Sequence, residues 1–245
     1  MAARLKIEGE TAKARFLSRT SRFSVLAELA DGEEGVRNFE CHLPNPGRLK
    51  ELLVPGRELL LRPASNPDRR KTKFDVFAAV ADGGAVVVDS RVANQVMREA
   101  FGSGQLPKFS GYELVRSEPA YGNSRLDFLL KGDGFWLVEV KSCTLVRDGI
   151  ALFPDAPTKR GRRHLLELAR AYEDGYRASV VFLIQREGAE LFMPNDETDP
   201  DFSNALRRVV AMGVEPIAMA SRYRDGFVEL RGEVSVDLSI PTEVR

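Results

Sequence analysis

Asp127, Glu139 and Lys141, two carboxylates and one amine within a short span, are the residues of this 245-residue chain whose types and spacing suit chemistry on a phosphate. Two acids held face to face repel unless a positive centre sits between them. A divalent cation meets that need. Hard oxygen ligands of this kind suit magnesium or manganese, which keep several waters and bind through one or two carboxylates plus a substrate phosphate. Lys141 either points at a water on that ion or forms an ion pair with Asp127 or Glu139.

The stretch that must position them is SRLDFLLKGDGFWLVEVKSC, residues 124–143. Leu126 to Lys131 and Phe135 to Lys141 are rich in branched and aromatic residues. Gly132-Asp133-Gly134 separates them, so the pattern predicts a β-hairpin. A three-residue loop pairs Lys131 with Phe135 and sets Asp127 opposite Glu139, where partner Cβ atoms lie about 4.5–5.5 Å apart. Alternation then puts Asp127, Leu129, Leu137, Glu139 and Lys141 on one face. Leu126, Phe128, Leu130, Trp136, Val138 and Val140 form an apolar core face. A loop differing by one residue would turn Asp127 to the wrong side.

At these residues the chain resembles the PD-(D/E)XK nuclease superfamily, with Asp127 as the first acid and Glu139-Val140-Lys141 as the E-x-K; Leu126 stands where the motif's name has proline. Further motifs narrow the likeness. His42-Leu43-Pro44-Asn45-Pro46-Gly47-Arg48-Leu49, Phe153-Pro154-Asp155-Ala156-Pro157-Thr158, Arg160-Gly161-Arg162-Arg163-His164-Leu165 and Asp199-Pro200-Asp201-Phe202 together are similar to the sugar fermentation stimulation protein family.

The resemblance implies an α/β (α+β) chain: an N-terminal OB-like β-barrel over residues 1–82, then a restriction-endonuclease-like mixed sheet flanked by helices over 83–245. It implies that Asp127, Glu139 and the Val140 carbonyl hold Mg2+ or Mn2+, that Lys141 serves catalysis, and that Glu99 on the first helix of the second domain brings a further acid. It also implies DNA as the partner, with Asn45 and Arg48 among the contacts. Two functions follow from it: magnesium-dependent phosphodiester hydrolysis, or regulation of sugar metabolism genes by DNA binding without turnover. A third reading, a sugar or small-molecule module on the barrel, would need stacking aromatics where Phe16, Phe23, Phe39, Phe74 and Phe77 look like core.

The 36 Lys and Arg balance 36 Asp and Glu. With no overall basic field, nucleic-acid binding must come from local patches. Three present themselves: Arg15, Arg19 and Arg22; Arg69, Arg70, Lys71 and Lys73; and Lys159, Arg160, Arg162 and Arg163. The last opens a helix expected from Thr158 to Asp174, where cations have the wrong sign for the helix dipole. With free backbone N–H groups they make a phosphate site, and Gly161 would let a strand approach closely. Leu165, Leu168, Ala169 and Tyr172 form the helix's buried stripe, and His164 beside them reads as a packing residue. Acids collect at Asp31 to Glu34 and Asp196 to Asp201.

Two cysteines and two histidines far apart argue against a disulfide or a zinc site. The N-terminus lacks the apolar core of a signal peptide, and no run approaches the ~20 apolar residues that span a bilayer. A cytoplasmic, non-membrane protein is the expectation, with self-association as a homodimer left open. Strands are expected near 14–17, 23–29, 36–43, 58–62 and 74–80, with a short helix at 48–53 and a domain boundary at Asp82-Gly83-Gly84. A helix capped by Asp89 or Ser90 follows, then strands at 112–116, 179–185, 215–220 and 227–230 around a helix at 202–212.

Overall fold

The computed structural model describes residues 3–30, 35–65, 70–81, 84–104 and 106–240. Asp31 to Glu34, Arg69 and the expected boundary pair Asp82-Gly83 lie outside the described residues.

The N-terminal half is built of strands β1 (Arg4–Lys6), β2 (Ala12–Ser21), β3 (Ser24–Ala30), β4 (Val36–His42), β5 (Glu58–Pro63), β6 (Phe74–Ala81) and β7 (Gly84–Val87). In β2 the period-two pattern is visible directly: Ala14 and Phe16 are buried while Lys13 and Arg15 face solvent. β2 pairs antiparallel with both β3 and β5, β3 with β4, and β5 with β6. A parallel contact of His42 with Asp75 joins β4 to β6 and closes a five-stranded OB barrel. Phe16, Val25, Leu43, Leu59, Leu61 and Val76 fill it. β7 lies beyond the expected boundary yet pairs with β6.

No helix forms at 48–53. Leu52 and Leu53 both donate to the Leu49 carbonyl, making one turn, and Leu49 itself has φ of +50°. That left-handed geometry cannot propagate a right-handed helix. It is held from outside, because the Leu49 N–H donates to Asp155 Oδ2 at 3.0 Å.

The second half runs α1 (Arg91–Gly102), β8 (Glu113–Ser117), β9 (Ala120–Tyr121), β10 (Ser124–Arg125), β11 (Phe128–Gly132), β12 (Gly134–Cys143), β13 (Val146–Arg147), β14 (Ile150–Phe153), α2 (Lys159–Glu173), β15 (Arg177–Ile184), β16 (Leu191–Pro194), α3 (Pro200–Ala211), β17 (Glu215–Arg224) and β18 (Phe227–Val236). These make a mixed sheet in the order β13-β14-β16-β18-β17-β15-β12-β11-β8, with β1 added along β18. β12 and β15 are parallel neighbours near its centre. Their near-continuous apolar runs fit strands covered on both faces.

One face packs on α1 through Val92, Val96, Phe128, Trp136 and Val138. The other packs on α2 and α3 through Leu137, Leu165, Leu168, Phe182 and Leu206. The acid-bearing face is therefore covered as well, by α2. Tyr172 departs from that helix's expected stripe and is 44% exposed. Among the described residues no helix is long and apolar enough to cross a membrane.

Candidate active site

The hairpin forms with the expected register. Lys131 pairs with Phe135, Gly132 with Gly134, whose φ of +93° turns the chain, and Phe128 with Val138, so that Asp127 lies just beyond the last paired residue and reaches the Val140 N–H. Leu126 does not share the face of Phe128. The Leu126 N–H donates to Pro119 O and the Asp127 carbonyl accepts from Glu118, so β11 begins only at Phe128 and alternation fails before it. Leu126 packs instead with Leu137 under α2.

Each oxygen of Asp127 has one donor: Asn94 Nδ2 reaches Oδ1 at 2.6 Å, and the Val140 N–H reaches Oδ2 at 2.7 Å. Glu139, 3% exposed, takes two partners on Oε1, the ammonium of Lys141 and His164 Nδ1 at 2.5 Å. His164 Nε2 accepts from Arg160 Nε at 3.3 Å, which assigns the proton to Nδ1. The second oxygen, Glu139 Oε2, is buried without any partner. A buried carboxylate oxygen left bare is costly.

Burial, and after it repulsion from Glu139, pushes the Asp127 carboxyl up to about 7. Burial acts the same way on Glu139, but the Lys141 charge and the His164 hydrogen bond outweigh it and hold that carboxyl below its ordinary value. Two facing acids driven in opposite directions mark a site short of positive charge. Among the described residues no three His, Cys, Asp or Glu side chains form a metal cage. What the site offers is two carboxylates, one with a bare buried oxygen, and the adjoining Val140 carbonyl. That donor set fits a hard divalent cation keeping several waters.

These groups line a cleft of about 660 Å³ between the two halves of the chain. Arg22, Asn45 and Gly47 line it from the barrel half, Asn94 from α1, and Asp155, Thr158, Lys159 and Arg160 from the segment that leads into α2. Asn45 is buried and acts as a brace: Oδ1 accepts from Gly47 N at 2.8 Å and Nδ2 donates to Val88 O at 2.8 Å. Asp155 grips the same loop at Leu49 N. A Cβ on Gly47 would stand 2.5 Å from the Asp155 carboxylate, so only glycine fits there.

Several expected residues are not brought together. Glu99 is exposed on α1 and does not line the cleft. It lies five residues, about 140° of helical rotation, from Asn94, the residue that faces Asp127. Arg48 is exposed and outside the cleft lining; its carbonyl accepts from Arg19. The cation cluster of α2 divides: Lys159 and Arg160 line the cleft, Arg162 pairs with Asp201 on α3, and Arg163 is exposed away from it.

At the start of α2 one backbone donor is already taken. The Gly161 N–H donates to Thr158 Oγ1, and a Cβ on Gly161 would meet Thr158 and Phe202, so the glycine serves packing. In the second patch Arg70 is spent on Asp75 at 2.6 Å. In the first patch Arg15 lies 3.8 Å from Glu28.

Two functional positions had little signal in the sequence. Asn94 is an amide on the helix where the resemblance implies an acid, and His164 borders an apolar stripe.

A family model described as the SfsA N-terminal OB domain matches residues 17–88, and one described as the sugar fermentation stimulation protein RE domain matches 91–226. The sugar fermentation stimulation protein homolog of Moorella thermoacetica is 49% identical over 228 residues, covering 92% of this chain and 96% of that protein. The homolog of Methanothermobacter thermautotrophicus is 46% identical over 203 residues, 82% of each. The solved structure of Pyrococcus furiosus SfsA in complex with Ca2+ superposes with a TM-score of 0.88 at 29% identity, covering 97% of this chain and 99% of that one.

Proposed function

This chain belongs to the sugar fermentation stimulation protein family, and from that premise we propose that its cleft binds a divalent cation together with a DNA strand and hydrolyses a phosphodiester bond. The observation that carries the reading is the bare, buried Glu139 Oε2, in a cleft whose lining brings together Asp127, Glu139, Lys159 and Arg160. The Ca2+ complex of the Pyrococcus furiosus relative supports it.

Asp127, Glu139 and the Val140 carbonyl hold the cation, Mg2+ or Mn2+. Such an ion, when bound, polarises the phosphate and shields its charge. Asn94 and the Val140 N–H fix the Asp127 carboxylate, while His164 fixes Glu139 with Oε2 free. Lys159 and Arg160 draw the phosphate into the cleft as charge partners. Lys141 Nζ, anchored on Glu139, would orient the attacking water by donating to it, the water's proton passing to solvent. Glu99 has no part in this arrangement.

The same Lys141–Glu139 contact favours a second reading, a regulator that binds DNA without turnover, since an ammonium bound to a buried carboxylate is a poor base. Incubation with end-labelled single- and double-stranded DNA in Mg2+ or Mn2+ separates the two. Cleavage that disappears in Asp127→Ala and Lys141→Ala proteins of unchanged circular dichroism supports hydrolysis. Salt-dependent binding with no cleavage of any substrate supports the regulator, and cleavage retained in both variants overturns the assignment of these residues.

A further inference from the structure

We propose that Arg22 and Phe23, at the tip of the β2–β3 hairpin, form a base-stacking clamp that admits single-stranded DNA to the cleft and turns duplex away. The proposal rests on the reading of the cleft as a phosphodiester site.

Phe23 is the aromatic of the barrel that does not behave as core. Phe16 and Phe77 are buried and Phe39 and Phe74 pack edge to face at 5.7 Å, whereas Phe23 is 46% exposed. Its backbone is also held in place. Arg19 staples the tip with three backbone contacts: Nε to Ser21 O at 3.1 Å, one terminal nitrogen to Arg22 O at 2.6 Å, and the other to Arg48 O at 2.7 Å. The Phe23 carbonyl accepts from Leu43 N at 2.8 Å and lies 3.1 Å from His42 Nδ1, and its N–H donates to Ser21 Oγ at 3.2 Å. A loop braced at this many points costs little ordering when a ligand arrives.

The neighbouring charge completes the device. The Arg22 guanidinium lies 5.5 Å from the Phe23 ring centroid and lines the same cleft as Asp127, Glu139, Lys159 and Arg160. Cations from two elements, one from the barrel and two from α2, thus share the cleft lining with the acids. A phosphodiester chain bound there is met by these cations, and a base swung outward from it meets Phe23, next to Arg22. Aromatic stacking with flanking arginine is how single strands are held without sequence readout. A paired base is stacked on its neighbours and offers no free face. A cleft of about 660 Å³ has the size of a small-ligand pocket and accommodates a short length of strand.

The test is fluorescence anisotropy on the full-length protein in Ca2+, using a short labelled single-stranded DNA, its duplex, and an RNA of the same sequence. The single strand is expected to bind more tightly than the duplex. Phe23→Ala is expected to weaken that binding about tenfold, and Arg22→Ala to weaken it and to lower the slope of log affinity against log salt by about 0.7. Phe23→Trp should keep the binding and show its indole emission quenched by the oligonucleotide; Trp136, the other indole, is fully buried. RNA bound in preference to DNA would overturn the choice of DNA as ligand. Unchanged binding by Phe23→Ala, an unquenched Phe23→Trp, or equal affinity for duplex would overturn the clamp while leaving the cleavage reading standing. Wild-type protein that binds none of the three would overturn both.

Discussion

His164 Nδ1 stands 2.5 Å from Glu139 Oε1, a contact between the second turn of α2 and the middle of β12. It ties one carboxylate oxygen down and leaves Oε2 without a partner. Groups that orient a metal ligand in this way typically change cation affinity 10- to 100-fold when removed. His164→Ala is therefore expected to weaken Ca2+ or Mn2+ binding by about that factor in calorimetric titration, in a protein that still melts cooperatively. Unchanged affinity would mean that Lys141 alone orients Glu139.

The raised Asp127 carboxyl predicts a pH signature. In the folded, cation-free protein it holds its proton up to about 7, against an ordinary value of 3.8, so the native state binds more protons than the unfolded chain between those values. Stability then falls as pH rises through that window. Compared with Asp127→Asn, the wild-type melting temperature should drop between about pH 4 and pH 7. A saturating divalent cation should reverse the loss at neutral pH, because it binds only the native arrangement.

Asp75 makes the opposite prediction. Burial would raise its pKa, but hydrogen bonds from Arg70 at 2.6 Å and Arg91 at 2.8 Å bring it below its ordinary value. A depressed acid contributes stability that is present above its unfolded pKa and lost as pH falls through the folded one. Asp75→Asn should cost about 2 kcal/mol near neutrality. The cost should shrink below about pH 4, as followed by urea denaturation; a difference independent of pH would contradict this.

Asp155 braces the loop between the barrel and the cleft by accepting from Leu49 N at 3.0 Å and packing against the bare Cα of Gly47. Gly47→Ala and Asp155→Ala should each destabilise the protein by about 1–3 kcal/mol. Limited proteolysis should then cut first within residues 43–56. Variants as resistant as wild type would show that the brace is dispensable.

Cys41 and Cys143 are free and buried, and burial pushes the Cys41 thiol up to about 12 and Cys143 also upward. Thiols so protonated are poor nucleophiles. Neither should react with a disulfide reagent in the native state, and both should react on unfolding; fast native labelling of either one would contradict the packing around it.

The acid-bearing hairpin is legible because its information is local. A Gly-Asp-Gly turn and strict alternation between Phe128 and Lys141 set a register, and a register decides which side chains oppose each other. The strand order of the barrel was legible for the same reason, each strand carrying its own apolar period. The helix expected at 48–53 failed because Asp155, more than a hundred residues away, holds Leu49 in a left-handed conformation.

What the sequence by itself determined is the pairing of Asp127 with Glu139 and the presence of cations near the start of α2. Tertiary structure decided which groups serve that pair. It chose Asn94 over Glu99 by the rotation at which α1 docks, and it turned His164 from packing to Glu139. It also sorted Lys159 and Arg160 to the cleft while giving Arg162 to Asp201. Side-chain alternation is a property of the backbone and can be counted along the chain, whereas the facing of one element on another depends on how two apolar surfaces interlock, and no single segment carries that.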